Sequence, residues 1–227
     1  NSLTPSRHVS RHSMRIFHYI YICLIIGCSN SSNTTENITE GQFEFDLIDS
    51  LGKVSIAFPD RCDTFFHWIQ RSDCGKGCEH GDYRFQSKKN RIFKESGFFW
   101  TGEPEDSVDQ LTIYHQRPER LEENNDSLIL SMKDFLYDKI LNNYNVANII
   151  ADTIMKIGKI YFIIFSTADI NYKTRIRDRR LIAFTMVKGT LLEFHYKLLT
   201  KNYDSVLSHF FEKSLSNLKT VRIKNGG

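Results

Sequence analysis

The reactive side chains that lie closest together in the sequence are three cysteines and a histidine. Cys62, Cys74, Cys78 and His80 fall in one stretch, and glycines at positions 75 and 77 would let Cys74 and Cys78 converge. Protein-bound Zn²⁺ takes four nitrogen or sulfur ligands in a tetrahedral arrangement, so these four side chains could form a zinc site. The spacing departs from the common pattern, because Cys62 stands alone and three residues separate Cys74 from Cys78.

A disulfide is the other interpretation of the same cysteines, and it is the one we favour. Three cysteines in an exported domain can form one disulfide and leave one thiol. Cys62 could pair with Cys74 or Cys78, or Cys74 with Cys78, and the sequence does not choose among these connectivities. We therefore predict no metal, with zinc as the alternative.

Arginines recur at every second position from Arg175 through Arg177 to Arg179. In a β-strand this spacing places the three side chains on one face. Such a basic face could bind an acidic partner or lipid headgroups. It is also typical of the solvated side of a hairpin.

The remaining histidines and acidic residues form no catalytic motif. His67, His115, His195 and His209 are dispersed. No nucleophile-elbow, phosphate-loop, zincin or dinucleotide-binding pattern occurs in the chain. We predict that the protein is not an enzyme.

Composition indicates an ordinary folded domain. The 227 residues carry a net charge of +3, and 25% of them are charged. Lysines and arginines are scattered along the chain, which gives no support to a nucleic-acid partner. The 17 phenylalanines and 10 tyrosines favour a strand-rich fold.

An apolar run near the beginning of the chain has the pattern of an export signal. Met14 and Arg15 lead into residues too few to span a bilayer, and the run ends at Gly27 and Cys28. We predict a signal peptide over residues 14–27, preceded by a misassigned or non-native extension over residues 1–13.

The end of that run, Leu24-Ile25-Ile26-Gly27-Cys28, resembles the lipobox of bacterial lipoproteins. The resemblance implies that Cys28 is the lipidation site and the first mature residue, and that acyl chains such as palmitate anchor the protein to a membrane. The residue directly after Cys28 is Ser29 and not an aspartate. By analogy with bacterial lipoproteins that have this feature, the expected location is the cell envelope, in the outer membrane, facing the periplasm or the surface.

Beyond Cys28, a polar tract predicts a flexible tether over residues 28–42, and hydrophobic periodicity predicts a single α+β domain over residues 43–225. Alternating or β-rich segments predict strands, and a 3.6-residue period predicts amphipathic helices at 131–144 and 204–219. Ser131 and Asp204 are the predicted N-caps of these helices, and the predicted apolar stripe of the first consists of Phe135, Leu136, Ile140 and Leu141. The predicted strands are 43–47, 54–58, 64–70, 83–86, 97–101, 109–114, 149–157, 160–167, 175–187 and 191–198; the segment 64–70 could instead be a short helix.

This order of elements, ending in the aromatic strand 192–196 and a helix that contains Phe210-Phe211-Glu212-Lys213-Ser214-Leu215, resembles the PsbP-like family. The family is named for an extrinsic subunit of photosystem II and is also found in small bacterial lipoproteins. The resemblance implies an α/β/α sandwich, in which two or more helices pack on an antiparallel sheet. It further implies an accessory or binding domain and no catalytic residues.

These observations together predict a membrane-anchored lipoprotein of non-catalytic binding or accessory type. Its expected partners are the membrane, through the lipid on Cys28, and an envelope protein. The first alternative is a small metal-dependent or hydrolytic enzyme that uses Cys62, Cys74, Cys78 and His80. The second is an immunity-type binder of an envelope-directed toxin.

Overall fold

A computed structural model describes residues 42–70, 79–87, 108–118, 126–143 and 148–225. These residues belong to one compact unit. They form a β-rich α+β fold in which every strand pairing is antiparallel. The strands are β1 Phe43–Leu47, β2 Gly52–Ile56, β3 Thr64–Gln70, β4 His80–Gln86, β5 Val108–Pro118, β6 Ile149–Ile157, β7 Ile160–Ile170, β8 Arg177–Val187, β9 Thr190–Thr200 and β10 Arg222–Asn225. The helices are α1 Asp126–Asn143, α2 Ser205–Ser208 and α3 Phe210–Leu218.

The strands form two sheets. The large sheet has the order β3-β4-β5-β9-β8-β7-β6, and the small sheet has the order β1-β2-β10. Strands β6 to β9 are consecutive antiparallel neighbours, as their short spacers predict. At Lys188-Gly189 both turn residues have positive φ angles, which match the twist of a two-residue hairpin.

Alternating side chains on the large sheet enter two separate cores. On one face, residues such as Phe85, Phe162 and Phe194 pack with the small sheet and with the helices α2 and α3. On the other face, Ile182 and Phe184 pack with helix α1. The sheet is therefore covered on both faces, which explains why its central strands are apolar on both sides.

Helix α1 differs from its predicted counterpart in its start and in its buried face. It begins at Asp126, so Ser131 lies inside the helix and does not cap it. Leu136 and Ile140 are fully buried, but Phe135 is 62% exposed. The helix contacts the sheet along a narrower stripe than the sequence predicts.

The predicted C-terminal helix is present as two pieces. Asp204 caps α2 through a hydrogen bond that its side chain accepts from the backbone N–H of Leu207, as its residue type predicts. The helical geometry is interrupted at His209, and α3 continues from Phe210. Leu207, Phe210 and Leu218 enter the core as the apolar periodicity predicts.

Candidate functional site

A cavity of about 180 Å³ lies between helix α3 and the segment 57–61, which joins β2 to β3. Its charged lining consists of Asp60, Arg61 and Lys213, and Ala57, Phe58 and Pro59 add an apolar wall. Tyr196 on β9 and Ser214 on α3 also line it. The cavity therefore combines charged and apolar surfaces, as small-molecule sites usually do.

An ion pair positions Arg61 in this cavity. Its Nε lies 2.6 Å from Oδ2 of Asp109 on β5, and both side chains are mostly buried. The guanidinium Cζ lies 5.5 Å from the ring centroid of Phe210, a distance suited to a cation–π contact. Burial raises the pKa of Asp109, while Arg61 and then Lys213 act to lower it. Two cations thus act on one buried carboxylate.

Two polar atoms at the cavity have unmet hydrogen-bonding capacity. Nη1 of Arg61 and Oγ of Ser214 are buried and have no hydrogen-bond partner in the described part of the chain, and Nε of Arg61 has only its ion pair with Asp109 there. An unpaired buried polar group costs about 1–3 kcal/mol. Nη1 is only a donor, so an acceptor oxygen is the group that would satisfy it.

Asn217 and Thr220 form hydrogen bonds that connect the two sides of the cavity. Asn217 accepts a bond from the Tyr196 hydroxyl (2.9 Å), and its Nδ2 donates to the carbonyl of Ala57 (2.7 Å). The Thr220 hydroxyl accepts from the backbone N–H of Ala57 (2.9 Å). These bonds join the end of α3 to the segment 57–61, so they hold both sides of the cavity at a fixed distance.

Cys62 follows Arg61 directly, packs against the core and is a free thiol within the described residues, which do not include Cys74 and Cys78. The predicted disulfide among these three cysteines therefore stays a prediction. The pKa of the Cys62 thiol is raised to about 12, mainly by burial and to a smaller extent by the nearby charge of Asp109. A thiol in such surroundings stays protonated at neutral pH and is a poor nucleophile.

We expect Cys62 to resist alkylation in the folded protein. A thiol with a pKa of about 12 has roughly a thousandth of the thiolate fraction of an ordinary cysteine at pH 8. Mass spectrometry of the Cys62 peptide, after iodoacetamide treatment of reduced protein with and without guanidinium chloride, would measure this ratio. A native rate within about tenfold of the unfolded rate would contradict the expectation.

A second polar cluster lies on the α1 face of the large sheet. Asp82, Tyr114 and Glu193 are cross-strand neighbours on β4, β5 and β9, and Arg84, Thr112 and His195 form the adjacent row. We call these six residues the polar patch. Nε of Arg84 donates to the Thr112 hydroxyl at 3.0 Å, and its guanidinium lies 5.0 Å from the ring centroid of Trp68.

Glu193 is a buried carboxylate of the polar patch with a strongly shifted pKa. It is 1% exposed, and it accepts a hydrogen bond from Nζ of Lys139 on α1 at 2.7 Å. Nε2 of His195 lies 2.9 Å from its other oxygen. Burial acts to raise the pKa of Glu193, but His195 and Lys139 outweigh burial and lower this pKa to about 2. The Glu193 carboxylate is therefore ionised at neutral pH, and it ties helix α1 to the sheet.

The structure does not bring Cys62 and His80 together. Cys62 precedes the start of β3, whereas His80 is paired with Gln70 at the far end of the β3–β4 hairpin. Six strand steps of about 3.3 Å separate Thr64 from Gln70, so the two side chains lie about 20 Å apart or more. Cys74, Cys78 and Cys28, the predicted lipidation site, lie outside the described residues, as does the predicted strand 97–101.

The predicted basic face is partly reorganised. Arg177 begins β8 and Arg179 shares its face, but Arg175 precedes the strand with a φ angle of 57°. Nη1 of Arg177 donates to the carbonyl of Lys201 at 3.0 Å, and its guanidinium lies 5.7 Å from the Tyr203 ring centroid. Binding of an acidic partner at these arginines stays a prediction.

Across residues 42–70, 79–87, 108–118, 126–143 and 148–225, no group of three His, Cys, Asp or Glu side chains is placed to hold a metal ion. No helix in the same described ranges is long and apolar enough to cross a membrane. Compared with known proteins, the chain matches no family model and no curated protein sequence.

The residues that form the cavity and the polar patch differ from those that the sequence singles out. Arg61, Lys213 and Ser214 come from segments far apart in the chain, and no spacing connects them. Glu193 and His195 do carry a signal, because two polar residues alternate with Phe194 and Tyr196 on one strand. Their partner Lys139 is 54 positions away from Glu193, on a helix, and that contact has no sequence signature.

Proposed function

We propose that this chain is an acyl-anchored cell-envelope lipoprotein whose folded domain acts by binding and not by catalysis. The observation that carries the anchor is the motif Leu24-Ile25-Ile26-Gly27-Cys28 at the end of a short apolar run. A polar tract follows it, and the described domain begins at residue 42. A lipid on Cys28 would hold that domain at a membrane surface, with the outer membrane as the proposed location.

A PsbP-like architecture is part of this proposal. Its support is the antiparallel sheet with helix α1 on one face and the helices α2 and α3 on the other. The three-stranded sheet β1-β2-β10 shares the face of α2 and α3, which is an addition to a simple α/β/α sandwich.

Three features favour binding over catalysis. The cavity beside α3 offers a charged and apolar lining of the kind that binds a small molecule. Burial keeps Cys62 protonated, which disfavours it as a nucleophile for a hydrolytic reaction. His195 is held by the buried carboxylate of Glu193, and this contact has a structural purpose because the same carboxylate binds Lys139 of α1.

Replacement of Cys28 tests the anchor. We expect Cys28→Ser to abolish incorporation of labelled palmitate in the native cell, because the serine oxygen does not replace the thiol in this modification. Cys23→Ser is the matched control, since Cys23 lies in the same apolar run. It should retain the label.

The mature amino terminus provides the second measurement. Mass spectrometry of the protein from membranes should find a lipid-modified residue 28 as its first residue. An unmodified amino terminus upstream of residue 28, or label retained in Cys28→Ser, would overturn the proposed anchor.

A further inference from the structure

We infer that the cavity between helix α3 and the segment 57–61 binds a small organic anion, with its carboxylate at Arg61 and Lys213. This inference deepens the proposed binding function by naming a ligand class. It rests on the folded domain alone and not on the lipid anchor.

Two cations line the cavity, and one of them is mostly buried. Arg61 and Lys213 line the cavity, and both lower the pKa of the buried Asp109 carboxylate, so two cations face one buried anion. Asp60 also lines the cavity, and its side chain and that of Lys213 are both exposed to solvent. Water screens an exposed charge more strongly than a buried one, so Arg61 is the cation that acts most strongly inside the cavity.

The unmet donors favour an acceptor oxygen. Nη1 of Arg61 has no acceptor in the described residues, and neither has the hydroxyl of Ser214, which is 1% exposed. Asp109 engages the guanidinium through Nε, so the rest of the planar fork can serve a second carboxylate. A carboxylate group would supply the oxygens that both residues need.

The remaining wall and the volume set the body of the ligand. The apolar part of the lining comes from Ala57, Phe58 and Pro59, and the hydroxyl groups come from Ser214, Ser216 and Thr220. The volume of about 180 Å³ is close to that of a protein cavity of ~150 Å³ that holds benzene. An acid with a small apolar body, of the size of benzoate, therefore fits both the chemistry and the space.

Titration of the full-length protein with benzoate tests the inference. Calorimetry or ligand-observed NMR in non-ionic detergent should give a dissociation constant of about 1 mM or below, which is reasonable for a ligand of this size. Benzyl alcohol has the same apolar body without the charge, and it should bind at least tenfold more weakly. Inorganic phosphate, which has the charge without the body, should also bind more weakly than benzoate.

Variants on α3 separate specific binding from a general effect of charge. Lys213→Gln should weaken benzoate binding about tenfold, because it removes one charge-assisted hydrogen bond. Lys219→Gln removes the same charge from a residue that does not line the cavity, and it should change binding less than twofold. Ser214→Ala should weaken binding about threefold without unfolding the protein, because its hydroxyl makes no hydrogen bond.

Three results would overturn the inference: equal binding of benzyl alcohol and benzoate, tighter binding of phosphate than of benzoate, or equal effects of Lys213→Gln and Lys219→Gln. The inference would also be overturned if no binding of benzoate were detected at 10 mM, a concentration roughly tenfold above the expected dissociation constant. None of these results changes the palmitate labelling of Cys28, so failure of the ligand assignment is distinguishable from failure of the anchor.

Discussion

Glu193→Gln is expected to lower the free energy of unfolding by about 3 kcal/mol at pH 7. A pKa of about 2 in place of 4.5 corresponds to this much stabilisation of the ionised carboxylate by the fold. Glutamine keeps the shape of the side chain, but it removes the charge that Lys139 and His195 contact. Urea denaturation of the full-length protein at constant ionic strength would measure the loss.

The pH dependence gives a second measurement of the same interaction. The pKa of Glu193 is lower in the folded state than in the unfolded state, so its contribution is fully present above pH 4.5 and is lost as the pH falls through about 2. At pH 3 about 2 kcal/mol of that contribution should already be lost in the wild-type protein. Glu193→Gln should lack this component of the acid destabilisation.

A second ion pair between α1 and the sheet provides the matched control. Lys133 on α1 contacts Asp152 on β6, and about a third of each of these side chains is exposed. Exposed pairs contribute about 0–1 kcal/mol, so Asp152→Asn should cost much less than Glu193→Gln. Equal losses for the two variants would show that burial of Glu193 does not strengthen its ion pair.

Strand periodicity predicts most of the large sheet because its central strands belong to consecutive hairpins. The turns at Gly158 and Gly189 mark the boundaries, and the residues between them alternate between two cores. Strand β10 of the small sheet is not predicted from the sequence. Its four residues Arg222–Asn225 are mostly polar, and they form a strand only because the edge of β2 is available to pair with them.

Helix boundaries were predicted less well, for physical reasons. Ser131 has the chemistry of an N-cap, but α1 extends a turn and more before it. Phe135 and Leu141 belong to the apolar period, yet α1 lies on the sheet along Leu136 and Ile140. The period of a helix gives its candidate faces, and only the neighbouring sheet decides how wide the buried stripe is.

The candidate sites depend on contacts that are distant in sequence. The cavity requires β2, β9 and α3 to meet, and the polar patch requires three neighbouring strands and a helix. Sequence patterns report local periodicity and short motifs, so they drew attention to the clustered residues Cys62, Cys74, Cys78 and His80 instead. Cys62 does lie beside the cavity, because it follows Arg61 directly, and its contribution there is packing.

Asn217→Ala is expected to lower the free energy of unfolding by about 3 kcal/mol. Asn217 is the acceptor for the hydroxyl of Tyr196, a residue that is 2% exposed, and it is the donor to the carbonyl of Ala57. Alanine leaves both groups without that partner, and each unsatisfied buried group costs about 1–3 kcal/mol. Chemical denaturation followed by circular dichroism would measure the change.

A double-mutant cycle with Tyr196→Phe decides whether the cost comes from the hydrogen bond or from general loosening of α3. Phenylalanine removes the hydroxyl that Asn217 would otherwise leave unpaired, so Asn217→Ala should cost at least 1 kcal/mol less in the Tyr196→Phe background. Ser216→Ala, on the same helix and at the same cavity, is the matched control and should change stability by less than about 0.5 kcal/mol. If the two substitutions are additive, the Tyr196 hydroxyl does not hold Asn217, and the wall of the cavity depends on the bonds to Ala57 alone.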